Sequence, residues 1–136
     1  VQGDQTKLIL RYVKLIKAKG RFGGSIIVSM WGAELDVRFS AFVDNEATSS
    51  GGALRINKGG KLTAVDVLFE SNTARTNGGA VYVSKEDDLT GITSASCTRC
   101  TFRTNEAKDK NGGGLYVSNV DGVVLDSCLF DGNKAG

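Results

Sequence analysis

Apolar residues fall at every second position in short runs along the chain: Leu35, Val37 and Phe39; Leu54 and Ile56; Val81 and Val83; Leu115 and Val117; Val123 and Leu125. A spacing of two collects side chains on one face of a strand, whereas a helix would space them by three and four. The runs therefore predict short, half-buried strands. One segment reads two ways. Lys7, Arg11 and Lys14 also lie at helical spacing, with Leu8, Tyr12 and Leu15 opposite, so this stretch is either a degenerate first turn of a repeat or an amphipathic cap. The match of Ala18 and Gly23 to the repeat favours the degenerate turn.

Between the strands a phrase recurs: "FVDNEATSSGGAL" at 42–54, "FESNTARTNGGAV" at 69–81 and "FRTNEAKDKNGGGL" at 102–115. The common pattern is Phe-x-x-Asn-x-Ala, three or four residues, a Gly pair, a small residue and a branched apolar one. Phe130, Asn133 and Ala135 begin a further copy. In the first copy Val13 takes the Phe place, Ile16 the Asn place and Ala18 the Ala place, ahead of Gly23-Gly24, which gives successive spacings of 29, 27, 33 and 28 residues. The long interval contains "SKEDDLTG" at 84–91, an acidic, turn-forming stretch expected to loop outward.

A period near 27 residues with about three short strands is too short for a propeller blade and fits one coil of a parallel β-helix. The expected fold is all-β, a solenoid of about five coils at 6–32, 33–59, 60–90, 91–121 and an incomplete 122–136. Equivalent strands of successive coils then lie about 4.8 Å apart. Stacking rewards residues that pair with themselves. Phe42, Phe69, Phe102 and Phe130 should form one column in the core, and Asn45, Asn72, Asn105 and Asn133 a column of hydrogen-bonded amides at a buried turn. Asn also tolerates left-handed turn geometry, Ala marks a tight inward site, and the Gly pair supplies a positive φ or a close backbone approach. Ile16 implies that the amide column ends before the first turn.

Composition agrees with turns and ladders: 18 Gly and no Pro in 136 residues. The 17 basic and 15 acidic side chains nearly cancel, which argues against a nucleic-acid partner. No apolar run approaches 18 residues, so no direct membrane span is expected in this segment. The chain begins at Val1 without Met and stops at Gly136 inside a motif, which suggests a piece of something longer.

The pair of motifs, "GGAL", "GGAV", "GGGL" and "GGSI" with four copies of FxxN, resembles the repeats of the chlamydial polymorphic outer membrane proteins, which are autotransported adhesins. Similar repeats occur in large extracellular proteins of other bacteria, algae and protists. The resemblance covers about residues 13–136. It implies a right-handed, pectin-lyase-like β-helix displayed at a cell surface and acting by adhesion or as a rod. It carries over no catalytic residue.

Side chains outside the repeat offer few candidates for chemistry. Lys7, Arg11, Lys14, Lys17, Lys19 and Arg21 form a basic run with no acid between Asp4 and Glu34. It is either the solvated side of the first coil or a grip for an acidic polysaccharide or anionic lipid. Glu86, Asp87 and Asp88 are either a solvated loop or a partner contact; their spacing does not match a calcium loop. Cys97, Cys100 and Cys128, with no His in the chain, do not make a zinc site, and no cofactor is expected. Cys100 and Cys128 each stand two residues before a motif Phe, so they should stack as buried thiols. Trp31, beside Met30, should pack at a corner, with a sugar platform as the other reading. Asp66, Asp126, Arg38 and Arg99 are stacked, exposed charges with no stated partner.

These readings favour a non-catalytic extracellular rod, an adhesin or the shaft of a surface appendage. Its partners would be a cell-surface glycan or protein, or other subunits of a filament. The alternative is a polysaccharide lyase, hydrolase or epimerase acting on acidic glycans.

Overall fold

A computed structural model describes residues 6–86 and 91–136, and every regular element in it is a strand. The first turn holds β1 (Lys7–Arg11), β2 (Lys14–Ile16), β3 (Lys19–Gly20) and β4 (Ile26–Ser29). The second holds β5 (Glu34–Val43), β6 (Glu46–Ala47) and β7 (Leu54–Asn57), and the third β8 (Lys61–Glu70), β9 (Thr73–Ala74) and β10 (Val81–Ser84). The fourth holds β11 (Ser94–Thr98), β12 (Thr101–Arg103), β13 (Glu106–Ala107) and β14 (Leu115–Ser118). A fifth begins with β15 (Gly122–Asp126), β16 (Leu129–Asp131) and β17 (Lys134–Ala135). Each strand pairs in parallel with its equivalent one turn away, so three sheets run the length of a β-solenoid. The N-terminal basic segment is thus a strand-forming turn and not a helical cap.

The register superposes like on like. One inward column is Leu8, Leu35, Leu62, Ala95 and Val123, and its neighbour is Leu10, Val37, Ala64, Cys97 and Leu125. On the third sheet Ile26, Leu54, Val81 and Leu115 form a column, as do Val28, Ile56, Val83 and Val117. The interior rungs of these columns are fully buried and form one continuous core.

A regular alternation cannot bring both Phe and Asn of FxxN inward, because they are three residues apart. The residue before each Asn resolves this by adopting a left-handed conformation: Asp44 (φ 56°), Ser71 (54°), Thr104 (50°) and Gly132 (63°). One such residue shifts the alternation by one and turns the next side chains inward again. The Asn residues therefore do not carry the left-handed geometry themselves, contrary to expectation; they stand one place later, aimed into the core. The same device operates earlier in each turn, at Tyr12, Phe39, Asp66, Arg99 and Ser127. Phe39 consequently leaves the inward series begun by Leu35 and Val37. It is 48% exposed and stacks on Tyr12, with ring centroids 5.2 Å apart.

The first repeat is in a different register from the one its sequence suggested. Leu15 lies opposite Phe42, and Gly20 opposite Ala47. Ala18 lies at the Asn level, where its main-chain N–H donates to Asn45 Oδ1 at 3.0 Å. Val13 and Ile16 thus stand two residues before the Phe and Asn positions assigned to them. The loop from Gly20 to Gly23 is two residues shorter than the spacing assumed from Ala18, and the first turn is 27 residues long, like the second.

Candidate functional site

The amide column is the most completely satisfied polar feature of the chain. Asn72 Oδ1 accepts from the main-chain N–H of Asn45 (3.1 Å) and from its Nδ2 (2.9 Å). Asn72 Nδ2 in turn donates to the Phe42 carbonyl (2.9 Å) and to Asn105 Oδ1 (3.0 Å). Asn105 repeats the pattern with the Phe69 carbonyl and Asn133 Oδ1, each at 2.9 Å. Every interior amide thus makes four hydrogen bonds while lying out of water, which removes the desolvation penalty of a buried polar group. The column ends on the Ala18 N–H rather than on an orphaned oxygen. Beside it the rings of Phe42, Phe69, Phe102 and Phe130 stack with centroids 5.2, 4.9 and 4.6 Å apart.

The two glycines of each pair do different work. Gly78 has a φ of +67°, the left-handed turn. Gly79 lies against the next turn, so a Cβ there would stand 2.0 Å from the Gly113 carbonyl oxygen.

The basic run of the first turn is partly tied to acids. Lys7 pairs with Glu34 (3.5 Å) and Asp36 (3.8 Å), Arg11 with Asp36 (3.1 Å) and Lys19 with Glu46 (3.3 Å). Arg21 lies 5.2 Å from the Phe22 ring. Lys14 and Lys17 have no ion pair among the described residues. Asp36 also takes Arg38 at 3.0 Å. The Arg38 and Arg11 guanidiniums hold its carboxyl below the usual aspartate range, against the opposing effect of burial. A lowered folded pKa contributes stability above the unfolded value, about 3.9, that is lost as the pH falls through the folded one. The stability difference between wild type and Asp36→Asn should therefore be flat from pH 7 to 5 and shrink below about pH 4; thermal melts across that range check it.

Glu86 folds back onto the outer face of the third sheet, where its carboxylate is held by three side chains. Its carboxylate accepts from Arg55, from Asn57 Nδ2 (2.8 Å) and from the Tyr82 hydroxyl (3.0 Å). Arg55 is sandwiched between the rings of Phe22 (4.3 Å) and Tyr82 (4.8 Å) and is only 9% exposed. Burial pushes the Tyr82 phenol up. This cluster closes the outer face of β7 and β10, where both sides of the sheet are buried. Sequence reading did not find it, because its members are far apart and only the alternate residues Leu54, Ile56, Val81 and Val83 carried a signal. Asp87 and Asp88 lie outside the described residues. Among the described residues no group of three or more His, Cys, Asp or Glu side chains is placed to hold a metal ion.

The remaining candidates resolve as stacked neighbours. Arg99 forms a two-pronged bond to Asp66, both contacts 2.8 Å, and this pair holds the half-buried Asp66 carboxyl low. Asp126 accepts from Ser127. Cys97 and Cys100 are buried on either side of the left-handed Arg99, and Cys128 stacks on Cys100; all three are free thiols. The Cys100 thiol and burial hold the Cys97 thiol high, which is the opposite of a reactive nucleophile. Trp31 lies at a corner beside Gly59 and Gly91 and remains 57% exposed, at one side of a groove of about 250 Å³. A second groove of about 320 Å³ runs over Glu46, Thr73 and Arg75, where Arg75 pairs with Asp109 at 3.2 Å.

Parallel turns near 27 residues long, closed by an Asn column and a stacked Phe column, define a repeat β-solenoid. Residues 66–84 match the family model of the Chlamydia polymorphic membrane protein (Chlamydia_PMP) repeat. The matched stretch contains Phe69, Asn72, Ala74 and the Gly78-Gly79 pair, and it ends with β10. Match and solenoid together agree with the resemblance read from the motifs. No curated protein and no solved structure matches the chain.

Proposed function

We propose that this chain is part of a non-catalytic rod displayed at a cell surface, whose side faces contact another cell's glycans or proteins. The observation that carries the reading is the use of the repeated residues: Phe, Asn, Ala and Gly are engaged in stacking one turn on the next, which makes a stiff shaft with freely variable outer faces. The match to a polymorphic membrane protein repeat supports placement at an outer membrane or cell surface. Carboxylates that would serve an enzyme of acidic glycans, such as Asp66 and Asp36, are instead held by arginines in the first sheet.

Adhesion predicts saturable binding of the purified chain to cells or to an array of glycans. A shaft alone predicts no such binding but ordered self-assembly or one fixed partner chain. Release of unsaturated uronate products from pectin or alginate, across a calcium series, would contradict both.

A further inference from the structure

Trp31 is the only tryptophan of the chain, and it packs closely against two glycines. A Cβ on Gly59 would stand 3.0 Å from Trp31 Cα, and one on Gly91 would stand 3.1 Å from the indole Cδ1. Gly59 has a positive φ, which explains glycine there by backbone alone; Gly91 has none, and a Cβ there would crowd both the indole and, at 3.2 Å, the Gly59 Cα of the preceding turn. Gly59 and Gly91 come from successive turns, and together they form a flat bed along one side of the indole. The Cδ1 edge of the ring is backed by this bed while more than half of the residue stays in solvent, next to Ile92, which is also exposed. An aromatic surface held rigid before binding loses little side-chain freedom on contact.

The rim of this groove is charged and regular. Lys7, Glu34, Lys61 and Ser94 occupy one outward column of the first sheet, and the last three line the groove with Trp31. Glu34 is shared by two ammonium groups, Lys7 at 3.5 Å and Lys61 at 3.7 Å; Lys7 also reaches Asp36 at 3.8 Å, whereas Lys61 has only its share of Glu34 among the described residues and is the less compensated of the two. A planar apolar surface beside a hydroxyl, a carboxylate and a partly compensated ammonium is complementary to a pyranose ring that bears a carboxylate. The C–H face of the sugar would lie on the indole and its carboxylate would meet Lys61.

We propose that Trp31, with Lys61 and Glu34, forms a binding site for a uronic-acid-containing glycan. The inference deepens the adhesive reading above and rests on it. Because the chain has one tryptophan, its fluorescence reports on this site alone. Titration with a linear oligogalacturonate should shift the emission saturably, and the fully methyl-esterified oligomer of equal length should bind at least about ten-fold more weakly. Lys61→Gln should remove that preference. Trp31→Ala, followed by calorimetry, should lose at least about ten-fold in affinity with an unchanged melting temperature. Equal binding of the two oligomers, no saturable change with either, or an emission change that depends on protein concentration alone would overturn the site. If the chain binds cells and Trp31→Ala binds them equally well, this site falls while adhesion through another face stands.

Discussion

Gly79→Ala should abolish cooperative folding or reduce stability by at least about 4 kcal/mol, in the range reserved for a change that the structure cannot absorb. The added carbon would sit 2.0 Å from the Gly113 carbonyl oxygen and 2.6 Å from the main chain of Glu106, and both belong to the next turn. Neither is a flexible side-chain end, so relief requires the turns to part, which breaks the main-chain bonds from Gly79 to Gly112 and from Ala80 to Gly114. Gly122→Ala is the matched control. It lies on β15 with nothing within 4 Å of the new carbon and no positive φ, so it should change stability by less than about 0.5 kcal/mol. Urea denaturation of the two variants gives the comparison directly.

Asn72→Ala should cost about 4 kcal/mol, and Asn133→Ala much less. Truncating Asn72 removes the acceptor of the Asn45 main-chain N–H and of one Asn45 amide proton, and takes a donor from the Phe42 carbonyl. Buried groups left unpaired cost roughly 1–3 kcal/mol each, and the interior rungs Asn72 and Asn105 have no solvent exposure. Asn133 makes analogous bonds to Asn105 and Phe102, but it is only half-buried, so solvent can take over. Equal losses at the two positions would mean that the amides act singly rather than as a column.

The repeat itself was legible because stacking makes each turn choose the same residue at the same place. Phe69, Asn72 and Ala74 announce the third turn as plainly as Phe102, Asn105 and Ala107 announce the fourth. The first turn was misread where that constraint relaxes. With Leu15, Ala18 and Gly20 at the Phe, Asn and Ala levels, the nearest small residue at an ordinary distance from the Gly pair was Ala18, one motif position too early. The left-handed residues were also hidden. Tyr12, Phe39, Asp66 and Arg99 share a backbone conformation and no side-chain type, because their side chains point to solvent, where composition is free. Phe39 looked like core for that reason. Glu86 looked like part of an acidic loop because its partners, Arg55 and Tyr82, stand on two other strands.

Among the outer features, the Trp31 groove was half legible. The sequence placed the indole at a corner, but its bed of Gly59 and Gly91 emerges only when successive turns are superposed. The basic run shows the reverse: six cations in sequence become Lys7, Arg11 and Lys19 engaged with acids of the second turn, leaving less free charge than the count implies. Outer faces of a solenoid are written by pairs of residues a full turn apart, and a linear reading weighs neighbours first.

The vertical superposition of turns is tested most directly by hydrogen exchange of the asparagine side-chain amides, followed by NMR. The Nδ2 protons of Asn45, Asn72 and Asn105 should exchange only as fast as the chain unfolds as a whole, with Asn133 clearly faster. Solvent-like exchange at Asn72 and Asn105 in the folded protein would contradict the account.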